Sequence, residues 1–135
     1  MKYFTIEELT KSETANKLKI DNTPNEKVKE NLTALVDNVL DPLRELYGKP
    51  IYVNSGYRCE KLNKIVGGVA NSQHATGEAA DIEGYNRSVN ENKKLFNLIL
   101  TSDLPFDQLI NENNFAWVHV SYKKNGKNRR QVLKL

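Results

Sequence analysis

The chain has only two histidines in 135 residues, and each sits in a compact motif suited to a metal site. His74 lies in Ser72-Gln73-His74-Ala75-Thr76-Gly77-Glu78-Ala79-Ala80-Asp81, which also places an aspartate seven residues downstream. His119 lies in Trp117-Val118-His119-Val120-Ser121. Two imidazoles and one carboxylate form the ligand set of a zinc site that keeps one coordination position open. Magnesium and calcium prefer oxygen shells, so zinc fits these donors better. The constraint on the fold is strong. Gly77 permits a tight turn, so His74 on a loop and Asp81 on the following strand can converge. His119 must then arrive on a neighbouring strand. Alternation on that strand puts Trp117, His119 and Ser121 on one face and Val118 and Val120 on the other.

The remaining pattern predicts helices and short strands in one α+β domain spanning residues 1–135. Tyr3 to Asp21 reads as a short helix over Ile6 to Leu9 followed by an irregular arm. Thr23-Pro24-Asn25-Glu26 reads as a capping box, with Thr23 at the N-cap and Pro24 at the first helical position. A buried stripe follows at Val28, Leu32, Leu35, Val36, Val39, Leu40, Leu43 and Leu46. Pro42 is expected to kink its last turn, and Gly48 and Pro50 to stop it. Strands are expected at Ile51 to Asn54, Ala79 to Glu83, Phe106 to Asn111 and Ala116 to Tyr122. A brief helix is expected from Cys59 to Ile65. A longer one should run from Ser88 to Leu100, with Val89, Leu95, Phe96, Leu98, Ile99 and Leu100 inward. Asn125-Gly126 predicts a hairpin joining the fourth strand to a fifth, Arg130 to Leu133. The sheet is expected to be small, antiparallel and packed with helices.

Composition excludes several classes. The single Cys59 rules out an intramolecular disulfide and a cysteine-rich structural zinc site, and it reads as a core thiol. The net charge of +3 is small, and Lys123, Lys124, Lys127, Arg129 and Arg130 cluster only around the hairpin turn. Nucleic acid is therefore not expected as a partner. No apolar run is long enough for a membrane span, and no secretory signal is visible at the N-terminus. Cytoplasmic synthesis and a monomer are expected.

Three motifs in order, Ser55-Gly56-Tyr57-Arg58, then Ser72-x-His74-x-x-Gly77-x-Ala79-x-Asp81, then Trp117-x-His119, resemble the M15 family of zinc D-Ala-D-Ala carboxypeptidases and phage endolysin peptidases. The resemblance extends from Tyr3 to Ser121. It implies a Hedgehog/DD-peptidase-like α+β fold and one Zn2+ held by His74, Asp81 and His119. It also implies hydrolysis of peptide bonds in peptidoglycan or its stem peptides, by a D-Ala-D-Ala carboxypeptidase or an endolysin-type endopeptidase. A free D,D-dipeptidase or an L,D-cleaving enzyme fits the same motifs. Action on the cell wall would follow phage-type release. The resemblance places Arg58 opposite the metal, where a guanidinium can stabilise an oxyanion; taken alone, the same side chain reads as half of a surface ion pair.

The general base is the weak link. Several branches of the family carry an acid or a histidine a few residues before the last zinc histidine, where this chain has Ala116 and Asn114. Glu112 is the nearest carboxylate and the candidate base if Asn113 to Phe115 is a loop between paired strands; Asp107 is the runner-up. The missing acid also keeps open an alternative: a catalytically impaired, zinc-bearing wall-binding or virion structural module. Ser72 and Gln73 either support the ligands from behind or cap the loop. Trp117 either walls the cleft or joins the core, and Ser121 either touches substrate or sits at the rim.

Overall fold

A computed structural model describes residues 1–135. Five strands form one mixed sheet in the order β1-β2-β4-β3-β5, where β1 is Tyr52–Ser55, β2 Ala79–Glu83, β3 Gln108–Glu112, β4 Trp117–Ser121 and β5 Gln131–Lys134. The helices are α1 (Ile6–Thr10), α2 (Glu13–Leu18), α3 (Glu26–Leu35), α4 (Asp41–Tyr47), α5 (Glu60–Ile65) and α6 (Val89–Thr101). The expected α+β class is observed.

One face of the sheet carries Ala80, Ile82, Leu109, Val118 and Val120 into a core of 20 buried residues, built with side chains of α3, α4 and α6. The other face carries Asp81, Ile110 and His119. Period-two alternation sorts these side chains. Asp81 pairs directly with His119 across β2 and β4, and Ile110 pairs with His119 across β3 and β4.

Several local expectations are corrected. Thr23 does not cap α3: its N–H and hydroxyl both donate to Asp21. Asn25 is the cap, accepting from the Val28 N–H at 2.9 Å. The N-terminal arm contains α2, capped by Ser12. Pro42 follows a widened turn in a run that is helical from Glu26 to Tyr47. Residues Val36–Leu40 form a π turn between α3 and α4, closed by the Asp41 N–H on the Val36 carbonyl. Proline has no N–H to give and its ring crowds the preceding turn, so the widened turn just before it relieves both. Leu46, Val89 and Leu100 lie on exposed helix faces, outside the expected stripes, and Cys59 is half-buried.

The largest correction concerns β5. The loop holding Asn125-Gly126 does not make a hairpin, and β5 runs parallel to β3 at the sheet edge. Asp107 explains this. Its fully buried carboxylate accepts from the Arg129 backbone N–H at 3.1 Å, from Nε at 2.9 Å and from Nη2 at 2.9 Å. That grip delivers Gln131 beside Asp107, where its N–H bonds the Asp107 carbonyl at 2.9 Å. Arg130 donates to the Leu104 and Ser102 carbonyls just beyond α6.

Gly77 ends the turn that carries His74, at φ 78°, and a Cβ there would stand 2.9 Å from both the Val28 carbonyl and its Cγ1. Gly48 has a similar φ of 76° but open space around it. Gly48→Ala should therefore cost only left-handed strain, about 1 to 2 kcal/mol. Gly77→Ala adds a collision worth about 1 kcal/mol or more. Urea unfolding of both variants checks this; equal losses would contradict the packing argument.

Candidate metal centre

The site is assembled on three supports. Asp81 and His119 come from the paired strands β2 and β4. His74 comes from a 3₁₀ turn over Gln73–Thr76, whose first N–H groups are capped by Ser72: its Oγ accepts from the His74 N–H at 3.2 Å. The donor atoms of His74, Asp81 and His119 all lie within 4.8 Å of one another. Asp81 Oδ1 is 3.2 Å from His74 Nε2 and 3.2 Å from His119 Nδ1. The imidazole planes stand at 72°.

The hydrogen bonds show that these residues fit a metal. His74 Nδ1 lies 2.7 Å from the Gly56 carbonyl, which can only accept, so Nδ1 carries the proton. In the neutral ring, Nε2 then points a lone pair at a carboxylate oxygen. Such an approach is repulsive unless a proton or cation lies between. Two donors about 2.1 Å from a tetrahedral zinc ion sit about 3.4 Å apart, close to the spacing found here. Burial pushes the Asp81 carboxyl up, but the facing His119 and His74 outweigh it and hold it well below the usual carboxylate range. A metal ion in the same place acts in the same direction.

Around the cluster lies a cleft of about 610 Å³, lined among others by Arg58, Gln73, Glu112, Trp117 and Leu133. Arg58 makes no ion pair. Its Nε donates to Asn63 Oδ1 at 3.2 Å and its Nη1 to Ser55 Oγ at 3.4 Å. Burial pushes its guanidinium down and the Asp81 charge pushes it back up. Glu112 sits on the cleft face of β3, diagonal to His119, because it pairs with Trp117 while Ile110 pairs with His119. Burial raises its carboxyl, and the Asp81 charge adds to that. Asn113, Asn114 and Phe115 form the expected turn between β3 and β4, all three with positive φ. Asn111 and Asn92 pin this turn: Asn111 Oδ1 accepts from the Phe115 N–H at 2.6 Å, and Asn92 Nδ2 donates to the Phe115 carbonyl at 2.9 Å.

Two candidates lie elsewhere. Ser121 is fully buried, and its Oγ accepts from the Gln108 N–H, so it joins strands and does not reach the cleft. Asp107 is not free to serve as a base, because Arg129 and the Gln73 carboxamide occupy its oxygens. Trp117 and Ser72 do line the cleft. Four of the five basic residues near the Asn125-Gly126 loop are engaged internally: Lys123 with Asp107, Lys124 with Glu30, and both arginines as described.

Three contributors had only weak sequence signals. Asn63 is buried, holds Arg58 and bonds the Val69 carbonyl at 2.8 Å. Gly56 presses on the Leu9 backbone so closely that no Cβ fits, and this sets its carbonyl under His74. Leu133 enters the cleft only because β5 runs beside β3.

A His–Asp–His cluster that shares its cleft with an arginine and a glutamate, on the sheet of an α+β domain, defines the class as a candidate metallohydrolase. The chain belongs to the peptidase M15 family, whose model matches residues 2–121. No curated protein matches the chain. Family membership supports a hydrolase acting on peptide bonds, in a family whose members depend on zinc.

The Arg129 partner holds the Asp107 carboxyl down at about 2, against 3.8 for a free aspartate. A depressed carboxyl stabilises the fold above the unfolded pKa, and that stability is lost as pH falls from about 4 through 2. Because Arg129 is half exposed, about 1 to 2 kcal/mol is expected. Unfolding free energies measured across this window should show the loss in the wild type and a weaker slope in Asp107→Asn.

Proposed function

We propose that the protein is a zinc metallopeptidase that hydrolyses peptide bonds of peptidoglycan stem peptides. The observation that carries this is the His74 Nε2 and His119 Nδ1 pair facing one Asp81 oxygen in a cleft shared with Arg58 and Glu112. Bound there, zinc would polarise the scissile carbonyl and bring the pKa of a water toward neutrality. The chain's own residues supply the rest. Glu112 accepts the proton of the attacking water on its carboxylate and returns it to the leaving amine. Its position on the cleft wall, away from the ligand oxygens, keeps it free for that exchange. Arg58, oriented by Asn63 and Ser55, donates N–H bonds to the developing oxyanion. Trp117, Ile110 and Leu133 form an apolar wall that excludes bulk water and lays the peptide across the sheet.

Glu112 on the cleft face also favours catalysis over the impaired wall-binding or virion module, since that reading rested on the missing acid at Ala116 and Asn114. The same proposal takes residues 1–135 as one domain, reaching the wall after phage-type release. No helix is long and apolar enough to cross a membrane. Whether the bond cut is the terminal D-Ala-D-Ala bond or an internal one is a question for the product masses.

Purified protein incubated with peptidoglycan should release peptides detectable by mass spectrometry, and a chelator should abolish release until zinc is restored. Absence of zinc-dependent cleavage would sink the proposal. Glu112→Gln should lower kcat by about 10²- to 10⁴-fold with zinc content unchanged. Arg58→Ala should lower it by about 10²- to 10³-fold. Zinc loss in Glu112→Gln would instead make Glu112 a ligand.

A further inference from the structure

Two side-chain atoms are buried without a partner, the Nε2 of His119 and the Oε1 of Gln73, and both residues line the same cleft. The two atoms are complementary. With its Nδ1 lone pair given to a metal beside Asp81 Oδ1, the neutral ring of His119 would carry its proton on Nε2, a donor. Gln73 Oε1 is an acceptor, and its identity is fixed from the far side. Gln73 Nε2 donates to Asp107 Oδ2 at 2.8 Å, and a carboxylate cannot donate, so the carboxamide cannot be flipped. Asp107 is itself immobilised by Arg129. The backbone of Gln73 is held too, its carbonyl accepting from Thr76 Oγ1 at 3.1 Å and from the Glu78 N–H at 2.9 Å. An immobilised carboxamide with one end bonded and the other end unpaired is primed to take a donor.

We infer that, when the metal is bound, Gln73 Oε1 accepts the Nε2–H of His119, so that Arg129, Asp107 and Gln73 form a positioning relay for that ligand. The inference rests on the zinc reading above. The bond is compatible with Gln73 Nε2 staying on Asp107, since the two ends of the carboxamide serve different partners. The relay does for His119 what the Gly56 carbonyl does for His74: it fixes the tautomer, locks the ring plane and makes the coordinating nitrogen more basic. It also gives the Asp107–Arg129 pair a part in the site as well as in guiding β5. Gln73 and Asp107 are positioning residues, since neither touches the reacting atoms.

The test uses protein labelled with 15N-histidine, titrated with zinc and followed by long-range proton–nitrogen correlation. In the loaded wild type, His74 should appear as the Nδ1–H tautomer and His119 as the Nε2–H tautomer, with the His119 proton protected from solvent exchange. Gln73→Met keeps the bulk and removes the acceptor. It should shift the His119 Nε2 signals, expose that proton to exchange and weaken zinc affinity about 10- to 100-fold in chelator competition. A wild-type His119 protonated on Nδ1, or an Nε2 proton that exchanges freely, overturns the relay whether or not the variant folds. Zinc uptake with unchanged His119 signals in Gln73→Met overturns it as well. Failure of the wild type to take up zinc strikes the metal reading itself.

Discussion

Asp81 and His119 face each other across the β2–β4 ladder, and the cleft depends on that single register. Side chains alternate with period two. A slip of one residue would turn both ligands into the core and bring Ile82 and Val118 out in their place. The register is held from the opposite face, where Ala80, Ile82, Val118 and Val120 are fully buried with the core side chains of the helices. Apolar burial on one side therefore fixes ligand geometry on the other. The strands need no bond between ligands to achieve this, which leaves the ligand atoms free to share a cation.

The third ligand depends on close backbone approach. His74 reaches the sheet because Gly77 turns against Val28 and because Gly56 lies on the Leu9 backbone. Those contacts tie α1 and α3 to the metal cluster. The Tyr57 N–H bonds the Leu9 carbonyl at 2.8 Å and the Arg58 N–H bonds the His74 carbonyl at 3.0 Å, so the same strip of chain seats His74 and aims Arg58. Glycine in the Ser-Gly-Tyr-Arg segment thus has a packing reason, and the arginine beside it inherits its place from that packing.

Features governed by local or periodic rules were legible in the sequence. The β2 and β4 strands, the faces of Trp117 and His119, the Gly48 stop and the three-donor cluster all follow from alternation and turn chemistry. What escaped depends on contacts between distant residues. The Asn125-Gly126 pair is a local hairpin signal, yet the Asp107–Arg129 pair, 22 residues apart, overrides it and sends β5 to the other edge. The sequence ranked Glu112 above Asp107 only by its nearness to His119. Strand phase separates them, since Glu112 shares the cleft face with Ile110 while Asp107 precedes β3 and is captured by Arg129. Pro42 announced a disturbed helix, but only packing decides between a kink and a π turn. Ser121 followed the alternation correctly and is still buried, because period says which face a side chain takes and nothing about what covers it.

The charges of the cleft show why a metal ion would be central to its chemistry. Two neutral imidazoles and Asp81 leave the cluster with one negative charge, and Glu112 adds a second nearby. Burial, and after it that like charge, pushes the Glu112 carboxyl up. Arg58 offsets part of it but is committed to Asn63 and Ser55. A divalent cation among His74, Asp81 and His119 would reverse the sign of the cluster. It would pull the Glu112 carboxyl back down and, with Arg58, present positive charge to an anionic transition state. The same ion would relieve the lone pairs that converge on Asp81. Ligand geometry and the charge balance of the cleft therefore both favour a cation at one point. The sequence already places that point between its two histidines.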